Sequence, residues 1–302
     1  MGCVRATAIF VAGVVLVGAA SDARAFCRST TCRGDCPVDD QGCPSTGVPL
    51  SWPTSCVGFS LQKNGTQSLD LEDTRIAIQK SFEAWSDVPC PDAGGKFATM
   101  TFSELDDADC HKSQYNTSGP NVNVVLFQDN DWTYKGIDGT LAKTAVTYDD
   151  RTGEIFDADI EVNAAFNNLT VTDTQVGYDL RSILTHEAGH FIGIAHSPDP
   201  AATMFATYAP GTTAGRQLAK DDVAAVCVIY PPGRTAACDT TPHGGFSGSC
   251  ADPQKSGCAV SDSPATGGPL VVVPFGALAL FARRARRGAT RGARCSREGR
   301  PS

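Results

Sequence analysis

The chain has 302 residues, enough for one large domain or two small ones with a hydrophobic core. Its formal net charge is −8; residues 1–25 carry +1 and residues 269–302 carry +7, which leaves −16 for residues 26–268. So acidic a body repels polyanions, and this excludes nucleic-acid binding.

Residues 1–25 have the features of a secretion signal. An apolar run follows the N-terminal MGCVR and ends before Ala23-Arg24-Ala25, which fits a small-x-small cleavage site. An uncleaved membrane anchor is the alternative, but the apolar run is shorter than the ~20 residues that a membrane span needs. We therefore expect cleavage after Ala25 and export of the mature chain.

The cysteine content agrees with export, because thirteen cysteines are too many for a reducing compartment unless they bind metal. A zinc ribbon is excluded, since no CxxC pair occurs. Residues 26–48 are polar and rich in Cys and Pro, so we expect disulfides there rather than a core. Ten cysteines could form five disulfides: Cys27, Cys32, Cys36, Cys43, Cys56, Cys90, Cys110, Cys227, Cys238 and Cys250.

Residues 68–88 (SLDLEDTRIAIQKSFEAWSDV) have the apolar spacing of an amphipathic helix. Asp70 is the predicted N-cap. The predicted core-facing residues of this helix are Leu71, Ile78, Phe82 and Trp85.

The next segments predict strands and then two helices, bounded by Gly, Asn, Asp or Pro. The strand candidates are 96–105, 121–128, 140–150 and 154–166. The helix candidates are 217–230 and the segment 179–196, which is predicted to be helical as far as Gly193. Together they indicate one α+β domain over residues 49–232.

The C-terminal part looks like a connection followed by a membrane signal. Residues 233–268 are rich in Gly, Ser, Pro and Thr, which predicts a stalk. Residues 269–302 form a short hydrophobic segment followed by an Arg-rich tail. This arrangement resembles the MYXO-CTERM class of bacterial sorting tags, and the resemblance implies transient membrane anchoring and then surface display or release in a Gram-negative bacterium.

The stretch HEAGHFIGIAH holds three of the five histidines. His186 and His190 are four residues apart, so on a helix both imidazoles can reach one ion at about 2.0–2.1 Å. Gly193 allows the chain to turn back, which brings His196 to the same ion. Three neutral donors with an open fourth position describe a catalytic zinc site. Glu187 points aside and can act as general base on a water bound to the metal.

These residues match HExxHxxGxxH, the metzincin signature, and Met204 lies where metzincins have a methionine turn. The stretch HSPDPAATM and Tyr208, which matches a tyrosine in the wall of the S1′ substrate pocket, resemble the matrixins. The resemblance implies an α+β zincin domain with a mostly parallel twisted sheet, an N-terminal helix, an active-site helix and a C-terminal helix.

The same resemblance implies that residues 140–148 form the edge strand that pairs with an extended substrate. Leu141 and Ala142, with Tyr208, are the predicted substrate-pocket residues. Asp149, Asp150, Asp157 and Asp159 are candidate calcium ligands, although solvated acidic turns explain them more simply.

The chain differs from the matrixin pattern in two features, the second zinc site and the zymogen cysteine. Only His111 and His243 remain for a second, structural zinc, so we expect one catalytic zinc. Cys36 could cap the zinc in a zymogen, but an ordinary disulfide is the simpler interpretation.

The expected function is therefore a secreted or surface-displayed zinc metalloendopeptidase that cleaves proteins or peptides. The alternative is a cell-surface binding or adhesion protein that keeps the metzincin fold without turnover. A zinc amidase acting on cell wall is weaker, since the signature mostly accompanies peptidases.

Overall fold

The computed structural model describes residues 26–134 and 140–250, so the predicted secretion signal and sorting tail lie outside the described residues. The strands are β1 (Cys56–Leu61), β2 (Pro89–Cys90), β3 (Lys96–Phe97), β4 (Thr101–Glu104), β5 (Val124–Gln128), β6 (Ala142–Tyr148), β7 (Ile155–Asn163), β8 (Leu169–Thr170) and β9 (Tyr178–Asp179). The α-helices are α1 (Leu71–Glu83), α2 (Leu180–Phe191) and α3 (Lys220–Ile229). Pro91–Ala93 and Ala214–Arg216 form single 3₁₀ turns.

Five strands form the main sheet in the order β4-β1-β5-β7-β6. β4, β1, β5 and β7 are parallel, whereas β6 runs antiparallel to β7 and forms one edge of the sheet. The prediction of an α+β domain with a mostly parallel sheet is thus confirmed.

Helix α1 begins where the sequence predicts. The Asp70 side chain accepts hydrogen bonds from the backbone N–H groups of Glu72 (2.9 Å) and Asp73 (3.2 Å). These bonds satisfy donors that have no partner within the helix.

Three of the four predicted core residues of this region are buried: Ile78, Phe82 and Trp85. Leu71 is the exception, with 40% of its surface exposed. That prediction is wrong because the buried face of α1 begins one turn later, at Thr74.

The two helices α1 and α2 pack against each other and bury an aromatic cluster. The Phe82 ring stacks on Phe59 of β1 at 4.1 Å and meets Phe191 of α2 edge-on at 5.2 Å. The indole N–H of Trp85 donates to the Thr185 carbonyl, and that of Trp52 to the Phe191 carbonyl, both at 2.8 Å. Helix α2 is therefore held by packing and by hydrogen bonds to its middle and to its C-terminal end.

The strand β7 is buried on both faces. Ala158, Ile160 and Val162 belong to the hydrophobic core with the helices. On the other face, Asp159 accepts backbone hydrogen bonds from Gln114 and Val124, both at 3.0 Å. Burial, with the nearby Glu161, raises the pKa of Asp159 to about 8.

The strand predictions miss β1 and the two-residue strands β2, β8 and β9, and they join two elements elsewhere. The predicted strand 96–105 is two short strands, β3 and β4. In β1 a Cβ at Gly58 would lie 2.2 Å from the Thr240 carbonyl oxygen. Gly58 is small because the C-terminal segment crosses the strand, a contact that local sequence does not reveal.

All ten predicted cysteines form disulfides in the structure. Cys27–Cys43 and Cys32–Cys36 lie within the N-terminal segment, as predicted, and Cys36 is therefore part of an ordinary disulfide. The long-range disulfides are Cys56–Cys238, Cys90–Cys227 and Cys110–Cys250. Two of these fasten the described residues 233–250 to the sheet and to the loop before β5. In the described part of the chain, no helix has the length and apolar character that a membrane crossing requires.

The disulfides should contribute unequally to stability, because the entropy removed from the unfolded chain grows with loop length. Replacing Cys90 and Cys227, 137 residues apart, by serine should lower the free energy of unfolding by about 5 kcal/mol. Replacing Cys32 and Cys36, four residues apart, should cost about 2 kcal/mol. Urea unfolding of the two double variants measures both losses, and equal losses would contradict the loop-length argument.

Candidate functional site

Helix α2 begins at a buried carboxylate. The fully buried Asp179 caps the helix by accepting hydrogen bonds from Ser182 N (2.9 Å) and Ser182 Oγ (2.7 Å). Arg216 compensates the charge through two hydrogen bonds, of 2.8 Å and 2.5 Å, to the same carboxylate. This anchored start fixes the register of α2 and hence the face on which His186 and His190 lie.

The helix ends in a reversal that needs glycine. Gly193 has φ +87°, and a Cβ there would lie 2.6 Å from the Leu50 carbonyl oxygen. The N-terminal segment pairs with this reversal through the bonds Ser29 N to Gly193 O (2.9 Å) and Ala195 N to Cys27 O (3.0 Å). The reversal thus returns the chain towards α2 and brings His196 beside His190.

The three histidines meet as the motif predicts. One ring nitrogen from each of His186, His190 and His196 lies within 4.8 Å of the others. His190 Nε2 and His196 Nε2 are 3.2 Å apart. Two nitrogens bound to one tetrahedral zinc ion at about 2.0–2.1 Å lie about 3.3 Å apart, so this spacing fits a shared zinc ion.

Hydrogen bonds on the far side of two rings orient them. His186 Nδ1 lies 2.7 Å from the Thr203 carbonyl oxygen, and His190 Nδ1 lies 2.8 Å from the Ile194 carbonyl oxygen. A carbonyl can only accept, so Nδ1 carries the proton in both rings and Nε2 keeps its lone pair.

The surroundings favour neutral imidazoles, the form that binds metal. Burial, with a smaller effect of His196, lowers the pKa of His186 to about 4. Burial and the adjacent His190 lower the pKa of His196 to about 4, and the pKa of His190 is also lowered by burial.

Glu187 lies beside the histidines and is 7% exposed. Its Oε2 accepts a 2.6 Å hydrogen bond from the hydroxyl of Thr144, on the edge strand β6. Burial raises the pKa of Glu187, while His190 and the Thr144 hydrogen bond act in the opposite direction.

Met204 lies beneath the histidine helix. A Cβ at Gly189 would lie 2.1 Å from Met204 Sδ and 2.9 Å from the Trp85 ring, so the methionine packs directly on the helix backbone between the two histidines. The Met204 carbonyl accepts a 2.8 Å hydrogen bond from Ser197 N, next to His196.

A buried carboxylate from α3 holds this methionine segment. Asp222, with no exposed surface, accepts hydrogen bonds from Thr203 N (2.8 Å), Met204 N (3.1 Å) and Ala219 N (2.8 Å). Burial raises the pKa of Asp222 against these three N–H donors. Because Thr203 also orients the His186 ring, Asp222 connects α3 to the histidine site.

The predicted pocket residues lie on two elements. Tyr208 is half-buried; its hydroxyl donates to the Thr212 carbonyl and accepts from Asp179 N at 3.3 Å. Ala142 is the first residue of β6 and lies two residues before Thr144, and Leu141 directly precedes the strand.

The other predicted ligand candidates do not gather into a group. Within the described residues, the three-histidine cluster is the one group suited to a metal ion. Asp149 binds the backbone of its own turn at Arg151 (2.8 Å), while Asp157 and Asp159 are buried in β7. His111 lies 3.5 Å from Asp109, and His243 lies 2.9 Å from the Tyr115 hydroxyl, both outside the cluster.

Sequence reasoning missed Thr144 and Asp222. A threonine in a predicted strand and an aspartate in the first turn of a predicted helix are ordinary there, as strand former and helix-start residue. Neither position carries a motif that marks its contact with the histidine segment.

Comparisons with known proteins show which family the chain resembles. Residues 51–231 match the family described as Matrixin. The chain is 26% identical to human neutrophil collagenase over 65% of its length, and 26% identical to metalloendoproteinase 1-MMP of Arabidopsis thaliana over 60%. It is 28% identical to matrix metalloproteinase-18 of Xenopus laevis over 65%. The matches span 37%, 44% and 37% of these relatives, less than half of each.

Substituting Gly189 by alanine should destabilise the protein by about 1–3 kcal/mol, because the added methyl overlaps Met204 and the Trp85 ring. Gly248→Ala is the matched control, since its nearest contact would be an ordinary 3.6 Å. Thermal unfolding of both variants measures the difference. Equal stability would contradict the close packing of Met204 on the helix.

Asp222→Asn should leave one backbone N–H facing an amide donor and cost about 2–3 kcal/mol of unfolding free energy. Zinc affinity should fall about 10–100-fold, because Thr203 would no longer be held against His186. Asp239→Asn is the control, since Asp239 also accepts a backbone hydrogen bond, from Thr241 N at 2.9 Å, but is exposed. Chelator competition measures the affinity, and an unchanged value for Asp222→Asn would refute this coupling.

Proposed function

The chain belongs to the matrixin family, and we propose that it is a zinc-dependent endopeptidase acting on proteins or peptides. The observation that carries the proposal is the meeting of His186, His190 and His196 beside the buried Glu187. Two of the relatives are themselves named as a collagenase and a metalloendoproteinase.

The three histidines would hold zinc through their inward nitrogens. The 3.2 Å spacing of His190 and His196 and the two Nδ1 hydrogen bonds support this assignment. When bound, zinc supplies a Lewis acid that polarises the scissile carbonyl and acidifies water. Met204, packed on Gly189, forms the floor that keeps the helix and the returning chain together.

Glu187 is the proposed general base. Its carboxylate accepts a proton from the attacking water while the water oxygen bonds to the carbonyl carbon. It then delivers that proton to the amide nitrogen as the carbon–nitrogen bond breaks.

The edge strand β6 is the proposed substrate-binding element. Its backbone can pair with an extended peptide, since β7 occupies only one of its sides among the described strands. Tyr208, Leu141 and Ala142 are the proposed side-chain contacts. Hydrogen bonds along the strand give affinity that does not depend on substrate sequence.

The proposed location is outside the cytoplasm. Five disulfides are typical of an oxidising compartment and support export. Cleavage after Ala25, and membrane anchoring through 269–302 followed by surface display or release, complete the proposal.

A binding or adhesion protein with this fold is the competing function. Such a protein needs no general base, so its function does not require a glutamate at position 187. The direct hydrogen bond from Thr144 to the Glu187 carboxylate favours the enzyme, because it orients a group that a silent domain does not use.

The test is hydrolysis of a quenched peptide or denatured protein by the purified protein with one zinc per chain. Chelation should abolish hydrolysis, and zinc should restore it. Glu187→Ala should keep one zinc per chain and lower kcat/KM by about 10²–10⁴-fold. Full activity of this variant would refute the base assignment, and an inactive zinc-loaded wild-type protein would favour the binding function.

A further inference from the structure

Thr144 makes a contact that the zinc site itself does not require. Its hydroxyl lies 2.6 Å from Glu187 Oε2 and 3.2 Å from the backbone carbonyl oxygen of the same residue. Both acceptors belong to Glu187, so either direction of the hydroxyl proton ties Thr144 to this one residue. Among the hydrogen bonds of the described residues, Thr144 is the one partner of the Glu187 carboxylate.

The strand geometry places Thr144 on the side of β6 that faces α2. Ala142 and Val146, two residues away on either side, pack against the core that contains α2. Lys143 points to the opposite face, where its ammonium lies 4.0 Å from the centre of the Tyr134 ring. Pairing of Thr144 with Ile160 of β7 fixes its height along the sheet.

A hydroxyl that donates to a carboxylate in a buried site forms a strong, directional hydrogen bond. Glu187 has three side-chain torsions, and without a partner its carboxylate could rotate away from the histidines. The bond to Oε2 restricts these torsions and leaves the other oxygen, Oε1, for the reacting water.

We propose that Thr144 is a positioning residue that holds the Glu187 carboxylate in its working orientation. The proposal rests on the proposed function, because it assumes that Glu187 is the base. Strand β6, which binds the substrate backbone, then also orients the Glu187 carboxylate. The same strand therefore positions both reacting partners. A substrate seated on β6 is then in register with Oε1.

The test compares Thr144→Val, which keeps the shape and removes the donor, with Thr144→Ser, which keeps the donor. In the zinc-loaded protein, Thr144→Val should lower kcat about 10–100-fold with KM within about twofold, because a misplaced base slows the reaction without weakening substrate binding. Thr144→Ser should restore kcat to within about threefold of the wild-type value. Zinc content should stay at one per chain in both.

Thr101→Val is the matched control. It makes the same substitution on β4, at the opposite edge of the main sheet from β6, where the Thr101 hydroxyl donates to the Ser55 carbonyl at 3.4 Å. Its kcat and KM should equal those of the wild type. A similar loss of kcat in Thr101→Val and Thr144→Val would show a general effect of removing a strand hydroxyl and overturn the proposal.

Two cycles with Glu187→Ala show whether Thr144 acts through the base. Thr144→Val should have no further effect on kcat in the Glu187→Ala background. The second cycle measures unfolding of the metal-free protein and so requires no activity. The factor by which Thr144→Val changes the unfolding equilibrium constant should be about tenfold smaller in the Glu187→Ala background than in the wild-type background.

The outcomes separate the two ideas. Wild-type kcat in Thr144→Val, or no coupling in the unfolding cycle, would overturn the positioning role while a zinc-dependent, Glu187-dependent activity stands. A zinc-loaded wild-type protein without hydrolysis would overturn the proposed function and the positioning role with it.

Discussion

The histidine site depends on the reversal of the chain at Gly193. A helix alone can present His186 and His190, but the third histidine comes from a segment that runs back beneath the same helix. The positive φ of Gly193 and its close approach to Leu50 make this return possible without a side-chain clash. The other hydrogen bonds and packing contacts described around the site hold either the helix α2 or the segment that returns to it.

Buried carboxylates provide much of that support. Asp179 fixes the start of α2 and is compensated by Arg216. Asp222 holds the methionine segment through the backbone N–H groups of Thr203 and Met204. A buried carboxylate is costly unless its hydrogen bonds are made, so each of these contacts also restricts the alternative positions of the loops. Polar contacts, and not the apolar core alone, therefore define the loops of the site.

The long-range disulfides constrain parts of the chain outside the histidine site. Cys90–Cys227 connects α3 to the short strand β2. Cys56–Cys238 and Cys110–Cys250 attach the segment after α3 to the sheet and to the loop before β5. They stabilise mainly by restricting the unfolded chain. The orientation of the Glu187 carboxylate, in contrast, depends on a hydrogen bond from the Thr144 hydroxyl on the edge strand.

The sequence by itself determined the histidine cluster, its glutamate, the ten paired cysteines and the α+β class, because these follow from local spacing, helix period and residue chemistry. It did not reveal β1, the exposure of Leu71, or the roles of Thr144 and Asp222. Gly58 is explained by Thr240, and Thr144 by Glu187, residues 182 and 43 positions away in the chain. Such contacts depend on how strands and helices are placed together, and only the tertiary structure decides that placement.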